Sequence, residues 1–224
     1  MGNSETVLAM PVPLQITEIF HSLQGESTYA GKPCVFVRLT GCSLRCGYCD
    51  TKYSYFGGRT MTLEEILASV AQYRTRLVEI TGGEPLEQEG AIPLMKRLVG
   101  EGYTVMLETG GHVALDPVPE KVIKIVDVKC PGSGEADTFR MENLEQVQPW
   151  DEFKFVISSR NDYEWSLNFY RKHLASGAQT VLFSPVHNMV AAVQLAQWIL
   201  ADGVNVRLQL QLHKYIWGPD ARGI

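Results

Sequence analysis

The chain has 224 residues, 45% of them hydrophobic, so it can bury the core of one α/β domain of ordinary size. Its formal net charge of −5 provides no positive surface for a phosphate backbone, which argues against nucleic acid as a direct partner. No apolar run approaches a membrane span, and five cysteines, an odd number, fit a reducing compartment better than a disulfide framework. These features predict a cytoplasmic protein.

Residues 1–13 are predicted to be a flexible leader, since Glu5 and the lack of a basic segment argue against a signal peptide. Residues 14–224 are predicted to form one domain in which strands and helices alternate. Strands are expected at 14–20, as a short edge strand, and at 35–40, 77–81, 104–108, 122–128, 153–157, 180–183 and 204–210. Helices are expected at 61–73, where Thr62 and Glu65 form a capping box, and at 91–99, 162–174 and 188–200.

This alternation predicts a parallel sheet with helices packed against it. Six or seven parallel strands do not complete an eight-stranded barrel, so the expected fold class is α/β, with an open, partial TIM-like barrel. In such folds the active site lies at the C-terminal ends of the strands. Glycine-rich or polar segments follow four of the predicted strands, at 81–85, 108–111, 127–131 and 184–188.

Three cysteines with the spacing CxxxCxxC follow the strand at 35–40, in a loop predicted at 41–59. They are Cys42, Cys46 and Cys49. An iron–sulfur cube takes four thiolates, so three local ones would leave one iron free to bind a ligand other than protein. A structural zinc site is an alternative, although the chain has no second CxxC pair and the loop has no histidine. Buried cysteines on one face of a helix are a further alternative, which the flanking Gly41 and Gly47 disfavour.

The cysteine motif and the Gly82-Gly83-Glu84-Pro85 segment after the next strand resemble the radical S-adenosylmethionine (SAM) superfamily. The resemblance implies a radical SAM core with a [4Fe-4S] cluster on the three cysteines and the methionine part of SAM on the open iron. At 127–129 and 184–187 the chain departs from the family's usual residues, so backbone contacts are expected there. The implied cofactor contacts are Tyr48, Cys49, Asp50, Gly83, Glu84, Asp127, Val128, Lys129, Ser184, Pro185, Val186 and His187.

The N-terminal part of the chain, with Gly41-Cys42 and Cys49-Asp50-Thr51, is similar to the 7-carboxy-7-deazaguanine synthase family. This resemblance extends from about residue 15 to the C-terminus. It implies a Mg²⁺ ligand from Thr51 and substrate contacts from Leu23, Gln24, Gly25, Glu26, Arg38 and Thr81. On physical grounds the Arg38 guanidinium also suits a carboxylate, to which it can donate two hydrogen bonds, although an ordinary ion pair is the alternative.

The resemblance implies a radical SAM carbon–nitrogen lyase of queuosine biosynthesis. The enzyme would convert 6-carboxy-5,6,7,8-tetrahydropterin to 7-carboxy-7-deazaguanine with loss of ammonia. The implied cofactors are the [4Fe-4S] cluster, SAM and Mg²⁺, and no catalytic side chain is expected because the radical comes from the cofactor. The implied partners are the small-molecule substrate, a flavodoxin- or ferredoxin-type electron donor and a second copy in a homodimer, with the C-terminal tail covering the substrate. A glycyl-radical-enzyme activating protein and a zinc-binding module are the alternatives.

Overall fold

The computed structural model of the chain describes residues 12–223, so most of the predicted leader lies outside the described residues. One sheet of nine strands runs through it in the order β3-β1-β2-β4-β5-β6-β7-β8-β9. The strands are β1 (Leu14–Leu23), β2 (Pro33–Leu39), β3 (Arg59–Met61), β4 (Leu77–Gly82), β5 (Thr104–Thr109), β6 (Ile123–Asp127), β7 (Glu152–Ile157), β8 (Thr180–Pro185) and β9 (Arg207–Leu208). Strand β2 and strands β4 to β9 form a parallel series in which each pairs with the next. Strand β1 pairs antiparallel with both β2 and β3. The fold is the predicted open, partial TIM-like barrel.

Five α-helices lie along the described chain. They are α1 (Leu63–Ala71), α2 (Ala91–Gly100), α3 (Arg160–Phe169), α4 (Ala192–Asp202) and α5 (Leu212–Trp217). The predicted capping box is present, because the Thr62 hydroxyl accepts from the Glu65 N–H while the Glu65 carboxylate accepts from the Thr62 N–H. A π-helical turn, Tyr170–Leu174, continues α3. No helix of residues 12–223 is both long and apolar enough to cross a membrane.

The alternation of side chains along the parallel strands separates two apolar regions. On β2, Val35, Val37 and Leu39 face the main core, while Cys34 and Phe36 belong to a smaller cluster on the opposite face. The smaller cluster also contains residues of β4, β5 and β6, namely Leu77, Met106, Ile123 and Ile125. The inner face of the barrel is therefore apolar in the N-terminal halves of these strands and becomes polar towards their C-terminal ends.

Two predictions about strands were wrong. The strand beginning at Leu14 is not an edge strand, because β3 pairs outside it; β3 has only three residues, too few for a recognisable alternation. The last strand is limited to Arg207–Leu208, because only Leu182 and Phe183 of β8 have pairing partners there.

The C-terminal helices also differ from the prediction. Helix α4 begins at Ala192 and not at 188, because Asn188 has a positive φ of 64° that interrupts a helix. Helix α5 was not predicted; it has only six residues, less than two turns of hydrophobic periodicity.

Candidate active site

A cavity of about 730 Å³ opens at the C-terminal ends of the parallel strands, where the sequence predicted the active site. Inward-facing side chains of successive strands line it, including Arg38 on β2, Thr81 on β4, Glu108 on β5 and Asp127 on β6. On the neighbouring strands β2 and β4, Arg38 lies opposite Thr81, whereas on β5 and β6 Glu108 lies opposite Ile125, two residues before Asp127. Polar groups far apart in the sequence therefore meet around one space.

Cys42, Cys46 and Cys49 all line this cavity, and none forms a disulfide. Backbone hydrogen bonds fix their loop: the Gly41 N–H donates to the Ser54 carbonyl at 2.8 Å, and the Gly47 N–H donates to the Ser133 carbonyl at 2.9 Å. The three thiols are thus presented together on one side of the cavity, on an anchored loop.

The environment of these thiols fits a cationic iron–sulfur cluster. Burial raises the pKa of Cys42 to about 11, and burial also raises the pKa of Cys46. Burial therefore favours the neutral thiols of Cys42 and Cys46, whereas bound iron would stabilise their thiolates. Among residues 12–223, no three His, Cys, Asp or Glu side chains converge as ligands of a single metal ion.

The Gly-Gly-Glu loop after β4 packs directly on the cysteine loop. The Gly83 N–H donates to the Leu39 carbonyl at 3.0 Å, and the Glu84 N–H donates to the Gly41 carbonyl at 2.7 Å. A Cβ atom on Gly83 would overlap the Gly41 carbonyl, so this contact requires glycine. An ammonium group only donates hydrogen bonds, so what the loop backbone can offer it is carbonyl oxygens.

The carboxylate of Glu84 joins this loop to the loop after β5. It is 1% exposed and accepts hydrogen bonds from the Gly110 N–H at 2.7 Å, the Thr109 hydroxyl at 2.9 Å and the Leu86 N–H at 3.1 Å. Glu84 therefore fastens two loops of the cavity, and its predicted contact with the cofactor stays a prediction.

A network of acidic side chains around one lysine occupies the inner wall. The Lys154 ammonium lies 3.0 Å from Glu26 and 3.7 Å from Asp127, and it also pairs with Glu108. Asp127 pairs in addition with Lys129 at 2.9 Å. Sequence reasoning found Glu26, Asp127 and Lys129 but assigned no role to Lys154 or Glu108.

The signal for Lys154 was present in the sequence. Its strand reads Glu152-Phe153-Lys154-Phe155, with charged and aromatic residues alternating. In a strand this pattern puts both charges on one face and both aromatic rings on the other, and the rings lie in the main core. Charges that alternate with core residues in a barrel strand therefore indicate the inner face.

Arg38 is in an ion pair, as the alternative interpretation expected, but it also lines the cavity. Its Nε donates to Glu18 at 2.8 Å, and the Tyr53 hydroxyl donates to the same carboxylate oxygen at 2.8 Å. Only Nε takes part in the pair with Glu18, and the guanidinium has two further nitrogens with which to bind a ligand.

The C-terminal segment reaches the cavity. Gln211 donates to Glu26 at 2.9 Å, Lys214 donates to Asp50 at 2.7 Å, and the Leu212 N–H donates to the Gly25 carbonyl at 2.9 Å. Residues 219–223 also line the cavity. The tail is therefore attached to the two segments for which substrate and cofactor contacts were predicted.

Most of the predicted site residues lie together around the cavity. Those that line it are Leu23, Gln24, Gly25, Glu26, Arg38, Tyr48, Cys49, Asp50, Thr51, Thr81, Gly83, Glu84, Asp127, Lys129, Val186 and His187. Three do not. Val128 and Ser184 are buried, and Pro185 lines a neighbouring groove, so only backbone contacts remain for them. The roles of all these residues stay predictions.

The chain is similar in sequence to a known domain and to known proteins. A domain described as Radical SAM superfamily matches residues 36–132. A protein of Koribacter versatilis named 7-carboxy-7-deazaguanine synthase is 51% identical, over 94% of this chain and 100% of the relative. A protein of Chlorobaculum tepidum with the same name is 43% identical, over 97% of this chain and 100% of the relative.

Two solved structures are similar to this chain in fold. The crystal structure of QueE from Escherichia coli matches with a TM-score of 0.75 and 25% identity, covering 90% of this chain and 95% of that one. SuiB of Streptococcus suis bound to S-adenosylmethionine matches with a TM-score of 0.56 at 10% identity, over 80% of this chain and 50% of that one. The second likeness concerns the fold alone.

Replacing Gly83 by alanine should disrupt the contact between the two loops. The added Cβ would overlap the Gly41 carbonyl, so we expect a loss of about 1–3 kcal/mol in the free energy of unfolding. Iron and sulfide incorporated on anaerobic reconstitution should fall with it. Gly100→Ala is the control, since no atom lies within 4 Å of its Cβ position and helix propensity predicts a gain of up to about 1 kcal/mol. Equal iron content in both variants would contradict the role of Gly83.

Glu79 predicts a dependence of stability on pH. Burial and then repulsion from Glu108 raise the pKa of Glu79 well above its usual value, while Gln24 donates to its carboxyl group. Because the folded state holds this proton more tightly than the unfolded chain, stability is lost as the pH rises from about 4.3 towards the raised pKa.

Glu79→Gln cannot ionise and keeps an acceptor for Gln24. Its free energy of unfolding should therefore fall less than that of the wild type between about pH 5 and about pH 8, measured by urea denaturation of the reconstituted protein. Exposed Glu64, replaced by Gln, serves as the control and should behave like the wild type. If the free energy of unfolding changed with pH in the same way in the wild type and in Glu79→Gln, Glu79 would not be protonated in the folded protein.

Proposed function

The chain belongs to the 7-carboxy-7-deazaguanine synthase family of radical SAM enzymes, and from this we propose how its residues serve that reaction. The reaction is the conversion of 6-carboxy-5,6,7,8-tetrahydropterin to 7-carboxy-7-deazaguanine with loss of ammonia, in queuosine biosynthesis. The observation that carries the proposal is the meeting of the cysteine loop and the Gly-Gly-Glu loop at one cavity that charged side chains also line. The two alternatives, a glycyl-radical-enzyme activating protein and a zinc-binding module, are disfavoured. Relatives that match nearly the whole chain are named 7-carboxy-7-deazaguanine synthase.

The cysteine side of the cavity holds the cofactors in this proposal. Cys42, Cys46 and Cys49 hold a [4Fe-4S] cluster, which together with SAM supplies a radical able to take hydrogen from a C–H bond of the substrate. The carbonyl oxygens near Gly83 accept from the SAM ammonium group. Asp127 offers an acceptor to SAM, since its Oδ1 is buried without a hydrogen-bond partner.

The opposite side binds the substrate. Arg38, whose Nε is fixed by Glu18, donates to the substrate carboxylate through its remaining nitrogens. Glu26 and Gln24 face the N–H-rich edge of the pterin ring, whose donors match carboxylate and amide oxygens. The protein's contribution is orientation and exclusion of water, because the radical chemistry belongs to the cofactors.

Residues 14–224 form one domain, with the C-terminal tail over the substrate, as the contacts of Lys214 and Gln211 support. Thr51, which lines the cavity, provides a ligand to Mg²⁺. Exposed apolar side chains on α4 and α5, such as Val193 and Tyr215, support a homodimer. Five free thiols support a cytoplasmic location, and a flavodoxin- or ferredoxin-type protein supplies the electron.

Product formation tests the function. Anaerobically reconstituted and reduced protein, incubated with SAM and 6-carboxy-5,6,7,8-tetrahydropterin, should yield 7-carboxy-7-deazaguanine, identified by mass and ultraviolet absorbance. Cys46→Ala should give none, because it removes a cluster ligand. A wild-type protein that contains the full cluster and cleaves SAM without forming this product would refute the proposal.

Arg38→Gln tests the substrate side separately. Loss of a charged hydrogen bond of about 1.5–3 kcal/mol should raise the KM for the pterin roughly tenfold to a hundredfold. Affinity for SAM should be unchanged, as measured by equilibrium binding. The control is Arg97→Gln, a surface residue whose side chain is 51% exposed. An unchanged KM in Arg38→Gln would remove Arg38 from the substrate site.

A further inference from the structure

Lys154 occupies an unusual place in the inner wall of the cavity. Its side chain is 5% exposed, and its ammonium faces three carboxylates, those of Glu26, Glu108 and Asp127. These carboxylates belong to three different segments: the loop after β1, strand β5 and strand β6. One cation therefore holds together groups that the chain brings from widely separated positions.

Each of the three carboxylates also has a second partner or an unused oxygen. Glu26 accepts from Gln211 at 2.9 Å, and Glu108 accepts from the Thr81 hydroxyl at 3.1 Å. Asp127 has one buried oxygen with no hydrogen-bond partner. Since a carboxylate can accept about four hydrogen bonds, all three retain the capacity to accept from a ligand in the cavity.

The charges of this cluster depend on one another. Burial by itself would lower the pKa of Lys154, but Glu108, Glu26 and Asp127 raise it well above its usual value, so Lys154 stays charged. Burial by itself would raise the pKa of Glu108, but Lys154 outweighs that effect and lowers it.

We propose that Lys154 is a positioning residue for the substrate: its ammonium holds Glu26 and Glu108 side by side as acceptors for a flat heterocycle rich in N–H donors. The inference rests on the proposed function, because the pterin is that heterocycle. Without the cation, neighbouring carboxylates would repel one another and turn away from a common ligand. Lys154 itself touches the carboxylates and not the reacting atoms.

The chain contains a matched control for this lysine. Lys124, on the neighbouring strand β6, is 1% exposed and forms an ion pair with Asp151 at 2.8 Å. It does not line the cavity. Replacing Lys124 by methionine therefore also leaves a buried carboxylate without its cation, but away from the site.

The experiment compares Lys154→Met with Lys124→Met in anaerobically reconstituted protein saturated with SAM. The Kd for 6-carboxy-5,6,7,8-tetrahydropterin should rise on the order of a hundredfold in Lys154→Met, as expected when a buried ion pair loses one partner. The Kd for SAM should change little. Lys124→Met should lose stability in urea and keep the wild-type Kd for the pterin.

The pH dependence of binding distinguishes positioning from a general loss of stability. In Lys154→Met the pKa of Glu108 should rise, so pterin affinity should be lost at a higher pH on the acid side than in the wild type. Lys154→Arg keeps the positive charge, so its pterin affinity should be lost at the same acid pH as in the wild type. Its affinity should lie between those of the wild type and Lys154→Met. The charged or titratable groups that face Glu108 are Glu26, Arg38, Glu79, Asp127, Lys129 and Lys154.

A pterin Kd for Lys154→Met equal to that of the wild type, or an equal loss in Lys124→Met, would overturn the proposal. If Lys154→Met does not fold, Lys154→Gln decides, because it keeps hydrogen-bond donors but removes the charge that holds the carboxylates together. A Kd for the pterin unchanged from the wild type would then refute the role. Wild-type protein that fails to bind the pterin at all would instead refute the proposed function.

Discussion

Two backbone hydrogen bonds, from Gly83 to Leu39 and from Glu84 to Gly41, are the constraint on which the site depends. They join the cysteine loop to the loop after the next strand, so the place of the thiols is fixed relative to the sheet. They also explain the paired glycines, since a side chain at Gly83 would overlap the chain it contacts. Glu84 extends the same connection to the loop after β5, through hydrogen bonds to Thr109 and Gly110. Three loops are thus joined by hydrogen bonds around the place proposed for the cluster.

Charged groups line the same cavity as the thiols. They include carboxylates held by Lys154 and a guanidinium held by Glu18. Such an arrangement is costly to fold, because buried charges lose their hydration unless they are paired. The strands meet this cost with an apolar floor beneath the charges and with ion pairs among them. In the inner wall of the cavity one oxygen of Asp127 stays buried without a hydrogen-bond partner.

Much of the fold was predictable, because its signals are local. The alternation of strands and helices, the capping box at Thr62 and the CxxxCxxC motif each depend on residues close together in the chain. The wrong predictions concern elements that are very short or whose first residue is set by a single backbone angle. Strand β3 and helix α5 are too short for a periodic pattern, and the positive φ of Asn188 delays the start of α4. The backbone contacts expected at Val128, Ser184 and Pro185 stay predictions, and the burial of the first two side chains depends on the assembled sheet, which no local pattern gives.

The sequence by itself indicated the class of chemistry, through three thiols at a fixed spacing and a glycine pair after the next strand. These features are short, and each requires a particular residue type for a stated physical reason. Only the tertiary structure decided how the charged residues combine. The grouping of Glu26, Glu108 and Asp127 around Lys154 joins positions separated by as many as 128 residues, and it arises from strand register and from the alternation of faces. Electrostatic interactions act through space and not along the chain, so their partners become known only when the sheet is assembled.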